Sequence, residues 1–226
     1  MASKLKHLAL LALYALMAKA MTQAPTAYDK PCNVRYTGLV QDGIENFFGI
    51  QFGQDTGGSN RFKPPKPYTP KSGSTLDATS RGPACPQPKI APAAPFLLSN
   101  YTKISEDCLR LNVYRPEGTA SDATLPVLLY IHGGAFFEGS KDDIVTQPGG
   151  LVLQSIKNGS PIMVVAINYR LGAFGFAQSD ALQDEGSTNA GLRDQRLGIE
   201  WVRDHIEAFG GNGEKITISG QSSGGK

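Results

Sequence analysis

The sequence predicts an α/β fold built on a largely parallel sheet, and three observations predict it. Two short runs, Leu125-Pro-Val-Leu-Leu-Tyr-Ile131 and Pro161-Ile-Met-Val-Val-Ala-Ile167, are apolar without a break, which marks strands covered on both faces. Between Asn189 and Phe209 the period turns helical, with Leu192, Ile199, Val202, Ile206 and Phe209 at spacings of 7, 3, 4 and 3. Lys215-Ile-Thr-Ile-Ser219 then returns to strand. Buried strands alternating with a helix are the pattern of a sheet whose parallel neighbours are joined by crossovers.

Taken in order, the chain opens on an address. Lys4 and Lys6 precede the apolar run Leu8-Ala-Leu-Leu-Ala-Leu-Tyr-Ala-Leu-Met-Ala18, and Ala18-Lys19-Ala20 closes it with a small-x-small cleavage pattern. About eleven apolar residues are too few to span a bilayer core of about 30 Å but suit a signal peptide. Residues 1–20 are therefore expected to be removed and the mature protein to be secreted, with no integral membrane segment. Of the 226 residues, 22 are Lys or Arg and 20 Asp or Glu. Loss of Lys4, Lys6 and Lys19, in a segment without acids, takes the formal charge from +2 to −1. That balance excludes a nucleic-acid binder with a basic face. With 40% apolar and 19% charged residues, the composition also excludes a disordered tail, a collagen-like repeat and a small disulfide scaffold.

After a Pro/Thr/Ala-rich stretch, residues 33–53 read as short strands with turns at Gly38, Asp42-Gly43 and Gly53. Residues 54–95 are polar and rich in Gly and Pro, an irregular region expected on the surface. Cys108-Leu-Arg-Leu-Asn-Val-Tyr114 alternates, placing Leu109, Leu111 and Val113 on one face of a strand. In the helix that follows the apolar strands, Asn189 is the expected N-cap and Gly210-Gly211 the stop. Cys32, Cys85 and Cys108 lack metal-ligand spacing, and a secreted chain favours a disulfide. Three single pairings are open, and one cysteine is left over. Asn100-Tyr-Thr102 and Asn158-Gly-Ser160 fit the N-glycosylation triplet.

The chemistry gathers at two loops. Gly220-Gln-Ser-Ser-Gly224 has the form G-x-S-x-G and follows a predicted strand. There the glycines relieve crowding at a sharp strand-to-helix turn that exposes the serine. His132-Gly-Gly-Ala-Phe136 follows the buried strand ending at Ile131. A glycine-rich loop in that place offers backbone N–H groups to the charge that builds on a carbonyl oxygen under nucleophilic attack. Either loop alone is no more than a tight turn; the two in this order indicate acyl chemistry.

With these residues assembled, the chain resembles the type-B carboxylesterase/lipase family of the α/β-hydrolase fold, which includes cholinesterases, para-nitrobenzyl esterases and fungal lipases. Four blocks carry the resemblance: Phe48-Gly-Ile-Gln-Phe52 with Arg61-Phe-Lys-Pro-Pro65; Glu106-Asp-Cys-Leu-Arg-Leu-Asn-Val113; His132-Gly-Gly-Ala-Phe136 with Asn168-Tyr-Arg-Leu-Gly-Ala-Phe-Gly175; and Asn189-Ala-Gly-Leu-Arg-Asp-Gln195 through Trp201-Val and Phe209-Gly-Gly-Asn212 to the serine. They run from about residue 33 to residue 226. The resemblance implies a mostly parallel central sheet with a small N-terminal antiparallel sheet. Residues 21–226 would be the N-terminal part of one such domain, cut just after the serine.

The resemblance also implies roles. Ser222 would be the nucleophile, with the N–H groups of Gly134, Ala135 and Ser223 as oxyanion donors. Cys85 would pair with Cys108, closing about 24 residues for on the order of 3 kcal/mol, and Cys32 is unexplained. Arg61 would pair with Glu106, and Arg170 with Asp194, both structurally. The implied substrate is a small-molecule or lipid ester, with no metal and no organic cofactor; oligomeric state is not set. Two positions depart from the family pattern. Gln221 and Ser223 stand where most members have glutamate and alanine.

A serine needs a base, and the base an orienting acid, in the order Ser, Asp/Glu, His. Only four residues follow Ser222. His7 belongs to the signal peptide, His132 is expected to hold the oxyanion loop, and His205 to serve the helix. The triad is incomplete, and the expectation is that this polypeptide alone neither folds stably nor hydrolyses esters. The competing reading is a non-catalytic secreted interaction protein of the same fold. Retention of Ser222 and the whole glycine loop argues against it. A gene fragment without a function of its own is a third reading.

Overall fold

A computed structural model describes residues 24–88, 103–143 and 147–226. The expected signal peptide, the Asn100 triplet and the last part of the irregular region lie outside the described residues. Among the described residues, nine strands and four α-helices follow in order: β1 (Thr26–Asp29), β2 (Val34–Thr37), β3 (Leu39–Gln41), β4 (Ile44–Gln51), β5 (Thr75–Asp77), β6 (Arg110–Pro116), β7 (Leu125–Ile131), α1 (Gly149–Lys157), β8 (Met163–Ile167), α2 (Gly172–Phe176), α3 (Asp180–Asp184), α4 (Ala190–His205) and β9 (Gly211–Gly220).

The main sheet has the order β3-β4-β6-β8-β7-β9. Its near half, β8, β7 and β9, is parallel, as the continuous apolar runs predict. In its far half β3, β4, β6 and β8 pair antiparallel. The two-residue turn at Asp42-Gly43, with φ of +54° and +77°, forces a hairpin between β3 and β4. β1, β2 and β5 form a separate small sheet, antiparallel between β1 and β2 but parallel where β5 joins β2. β5 lies inside the stretch that the sequence marks as irregular.

Two sequence expectations need correction. β6 is buried on both faces, because Asn112 and Tyr114 are as sealed as Leu111 and Val113. Asn112 is tolerated there by donating to Asp142 Oδ1 at 2.7 Å. Asn189 stands at the N-cap position of α4 but does not cap it with its side chain. It adopts φ +57°, ψ +40°, and its Oδ1 instead accepts from Gln178 Nε2 at 3.2 Å. Its carbonyl takes the N–H groups of Leu192 and Arg193, both at 3.1 Å. The helical period ends in a separate 3₁₀ turn, Ile206–Phe209, which Gly210 stops at φ +80°.

The core lies on the α4 side of the sheet, where Phe47, Phe52, Leu111, Leu129, Ile167 and Phe209 are fully buried. A smaller cluster on the opposite face packs Ile44, Phe48, Tyr114 and Val164 with Val152 of α1. The disulfide joins Cys85 to Cys108, the pairing implied by the resemblance, and Cys32 is free and half-buried. No helix among the described residues is long and apolar enough to cross a membrane.

Candidate active site

Three parallel strands, β8, β7 and β9, end side by side, and each hands its C-terminal end to a loop. Ligands of open α/β sheets bind at such ends. β9 delivers the G-x-S-x-G turn. Gln221 is extended (φ −110°, ψ 134°) and donates its N–H to Ile131 O of β7 at 3.4 Å, carrying the ladder one residue past the strand. Ser222 then turns to φ +54° and is solvent-exposed. A non-glycine residue in that region stores backbone strain that surrounding contacts must hold.

The two glycines of the motif have geometric causes. A Cβ on Gly220 would lie 1.9 Å from Gly224 O, and one on Gly224 would lie 2.2 Å from Ile131 O. The turn is so tight that its ends touch each other and the neighbouring strand, so both positions require the smallest residue.

β7 delivers the second loop, and it is packed against the first. A Cβ on Gly133 would meet Gln221 Oε1 at 2.3 Å and Ser222 Cβ at 3.1 Å. Gly134, Ala135 and Phe136 follow at φ +106°, +55° and +61°. This left-handed run is held by bonds from Phe137 N and Glu138 N to Gly134 O at 2.9 and 3.0 Å, and from Gly172 N to Phe136 O at 2.7 Å. The N–H groups of Gly134 and Ala135 are committed to no hydrogen bond among the described residues.

Ser223 ties the loops together. It is buried, and its Oγ accepts the Phe136 N–H at 3.2 Å. The same hydroxyl lies beside Tyr169, whose phenol burial pushes up to about 12. Tyr169 comes from the loop after β8 and donates to His132 O at 2.9 Å. Hydrogen bonds therefore tie the ends of β9 and β8 each to the end of β7. The side-chain role of Ser223 was not read from the sequence; its departure from the family's alanine was the available signal.

His132 lies under this network, stacked on Tyr169 with ring centroids 4.5 Å apart. Burial lowers its pKa to about 4, so the ring is neutral, and Nδ1–H donates to Gly133 O at 2.8 Å. That bond fixes the Gly133–Gly134 peptide plane. Nδ1 thus serves the loop, as expected of this residue, while Nε2 is buried without a hydrogen-bond partner among the described residues. His205, at the end of α4, pairs with Asp29 at 2.8 Å.

Beneath the site, Arg170 and Asp194 form a buried bidentate pair at 2.7 and 2.8 Å, and Arg170 also donates to Lys63 O at 2.8 Å. Arg61 and Glu106 pair at 2.6 Å nearer the surface. Beside the glycine loop an apolar trough of about 300 Å³ is lined by Pro86, Ile104, Phe137, Leu171 and Phe174. The remaining sequence-expected modification site, Asn158, is exposed at the end of α1.

A family model described as the carboxylesterase family matches residues 34–226. The chain belongs to the carboxylesterase family. It is 50% identical over 202 residues to an inactive carboxylesterase-like protein, VdtD, of Byssochlamys spectabilis, covering 89% of this chain and 34% of that protein. It is also 50% identical over 210 residues to a secreted lipase of Arthroderma benhamiae, covering 93% of this chain and 36% of the relative. Among solved structures it is similar to a thermophilic pNB esterase, with TM-score 0.76 and 34% identity over 89% of this chain and 39% of that one. The chain thus spans about a third of the length of the relatives it matches. These likenesses place the α/β-hydrolase fold beside the family, in accord with the resemblance in the motifs.

Proposed function

We propose that the protein to which this chain belongs is a secreted carboxylic ester hydrolase acting through an acyl-enzyme on Ser222. One observation carries the reading: an exposed serine held at φ +54° directly against a glycine loop with uncommitted N–H groups. In this reading Ser222 Oγ attacks the ester carbonyl carbon as a base removes its proton. The resulting oxyanion is met by the N–H groups of Gly134, Ala135 and Ser223, each worth roughly 3 kcal/mol to the transition state. Collapse expels the alcohol, which takes the proton back from the base, and water then cleaves the acyl-enzyme by the same steps. The apolar trough beside Phe137 suits a hydrocarbon part of the ester.

His132 is sealed from solvent with Nδ1 bonded to Gly133 O and His205 is held by Asp29, so the base and its orienting acid are assigned to sequence beyond Lys226. Secretion is supported by the pattern of residues 1–20, by the disulfide and by the secreted lipase relative; the N-terminal sequence of the exported protein should begin at Met21.

The test is hydrolysis of p-nitrophenyl esters by the full-length protein. Ser222→Ala should lower kcat by at least about 10⁴-fold, and a fluorophosphonate should label Ser222. Turnover unchanged in the variant would defeat the reading. The equally similar inactive relative makes a non-catalytic protein of the same fold the second reading. Absence of both turnover and fluorophosphonate labelling, in folded full-length protein, would establish it instead.

A further inference from the structure

At the opposite end of β9 from Ser222, three side chains from distant parts of the chain converge. Asp29 is the last residue of β1, Cys32 lies in the turn to β2, and His205 is the last residue of α4. Each offers one metal-ligating atom, and these atoms all lie within 4.8 Å of one another. We propose that Asp29, Cys32 and His205 form a binding site for a borderline-soft divalent transition metal, with zinc as the archetype. The site is separate from the ester chemistry and does not rest on the preceding reading.

The donor set decides the class of ion. Calcium and magnesium take oxygen ligands, whereas one thiolate, one imidazole and one carboxylate match zinc and its neighbours. Metal–ligand bonds of about 2.0–2.3 Å around a tetrahedral ion put donor atoms about 3–4 Å apart, so the cluster needs only a small adjustment to close on a cation. His205 Nδ1 and Asp29 Oδ2 are already 2.8 Å apart. Cys32 N–H donates to the other carboxylate oxygen at 3.4 Å, fixing the turn.

The frame is rigid. Asp29 is held in register opposite Val34 and is buried, and the His205 ring lies 5.0 Å from that of Trp201. Three protein ligands leave a fourth position open, and the site borders a cavity of about 440 Å³. Asp122, Asp204 and Glu207 line that cavity, with Lys30 and Arg35 as the opposing cations; the Arg35 guanidinium is turned onto the Tyr28 ring at 5.3 Å. The cysteine is available because the other two are joined to each other. Binding would replace the thiol proton, Cys32–SH and M²⁺ giving Cys32–S–M⁺ and H⁺, with His205 as the Nε2–H tautomer and Nδ1 on the metal.

The experiment uses the full-length protein, stripped with chelator and titrated with Co²⁺, then with Zn²⁺. Thiolate coordination gives a charge-transfer band in the near ultraviolet, which should be absent in Cys32→Ser. Zinc should slow alkylation of Cys32 by iodoacetamide, read by peptide mass mapping. His205→Asn leaves the thiol in place but should need at least tenfold more zinc for the same protection, on the order of a lost ligand or more. Circular dichroism checks that each variant is folded. No cobalt band, with Cys32 alkylated equally fast at saturating zinc, overturns the proposal. Protection that is undiminished in folded His205→Asn overturns it too, since the thiol would then be binding metal without this site.

Discussion

Ser223 and His132 show how much of the site's order comes from side chains that do not meet the substrate. Ser223 contributes a backbone N–H to the proposed oxyanion site, and its hydroxyl separately clips the Phe136 N–H. In Ser223→Ala the N–H survives and one hydrogen-bonded clip is lost, worth about 1 kcal/mol. The kcat of the full-length protein on a p-nitrophenyl ester should then fall by about tenfold or less; a loss of about 10³-fold would give the hydroxyl itself a part in the chemistry. His132 sets a pH dependence of stability. Its native pKa, about 4 against an ordinary 6.5, reflects burial first. Above pH 6.5 the ring is neutral in both folded and unfolded chains, and nothing is at stake. As the pH falls from 6.5 towards 4 the unfolded chain takes a proton that the native state refuses. Stability is therefore lost at about 1.4 kcal/mol per unit, roughly 3 kcal/mol in all. Urea midpoints measured across that window should fall less steeply in His132→Gln, even though its stability at pH 7 is lower.

At the scale of elements, α4 explains why apolar periodicity located a helix but misjudged its face. The period placed Leu192 in the stripe, yet Leu192 is 41% exposed. The buried face carries Ala190, Gly191, Asp194, Gln195, Gly198, Trp201 and Val202 instead. Its glycines let the helix approach closely: a Cβ on Gly191 would lie 2.6 Å from Arg170 O, and one on Gly198 3.1 Å from Ile167 Cδ1. Asp194 is buried there because Arg170 meets it with both ends of its guanidinium. A hydrophobicity pattern is blind to both devices, since it records neither close approach nor a paired charge. Asp194→Ala would leave the Arg170 guanidinium buried and unpaired. The expected cost is about 3–5 kcal/mol in chemical denaturation, and one below about 1 kcal/mol would mean the pair is not sealed as described. β6 teaches the same point: alternation predicted one buried face, and a hydrogen-bonded Asn112 fills the other.

At the scale of the molecule, one sheet separates the two proposed sites by its ends. The loops after β7, β8 and β9 gather Gly133, Tyr169 and Ser222 at the C-terminal ends, while the Asp29–Cys32–His205 cluster sits where β9 begins. β9 is the outer strand of the described sheet, and Ile218 on it is 53% exposed. Exposed outer strands with apolar side chains are templates for pairing with another chain. Residues 21–226 expressed alone should self-associate in light scattering, and Ile218→Lys should reduce the associated fraction; equal association in the variant would place the adhesive surface elsewhere.

The apolar runs, the helical period and the two glycine loops identified the α/β architecture and the candidate nucleophile without any coordinates. Each is a local signal, written by secondary-structure period or by a turn that only glycine can make. The sequence left the cysteine pairing open among three possibilities until the resemblance implied Cys85 with Cys108. The antiparallel half of the sheet, the burial of Asn112 and Asp194, the clip through Ser223 and the approach of Cys32 to His205 were decided only by the tertiary structure. These depend on which distant residues the fold brings within a few ångströms, and distance across the core leaves no period in the chain.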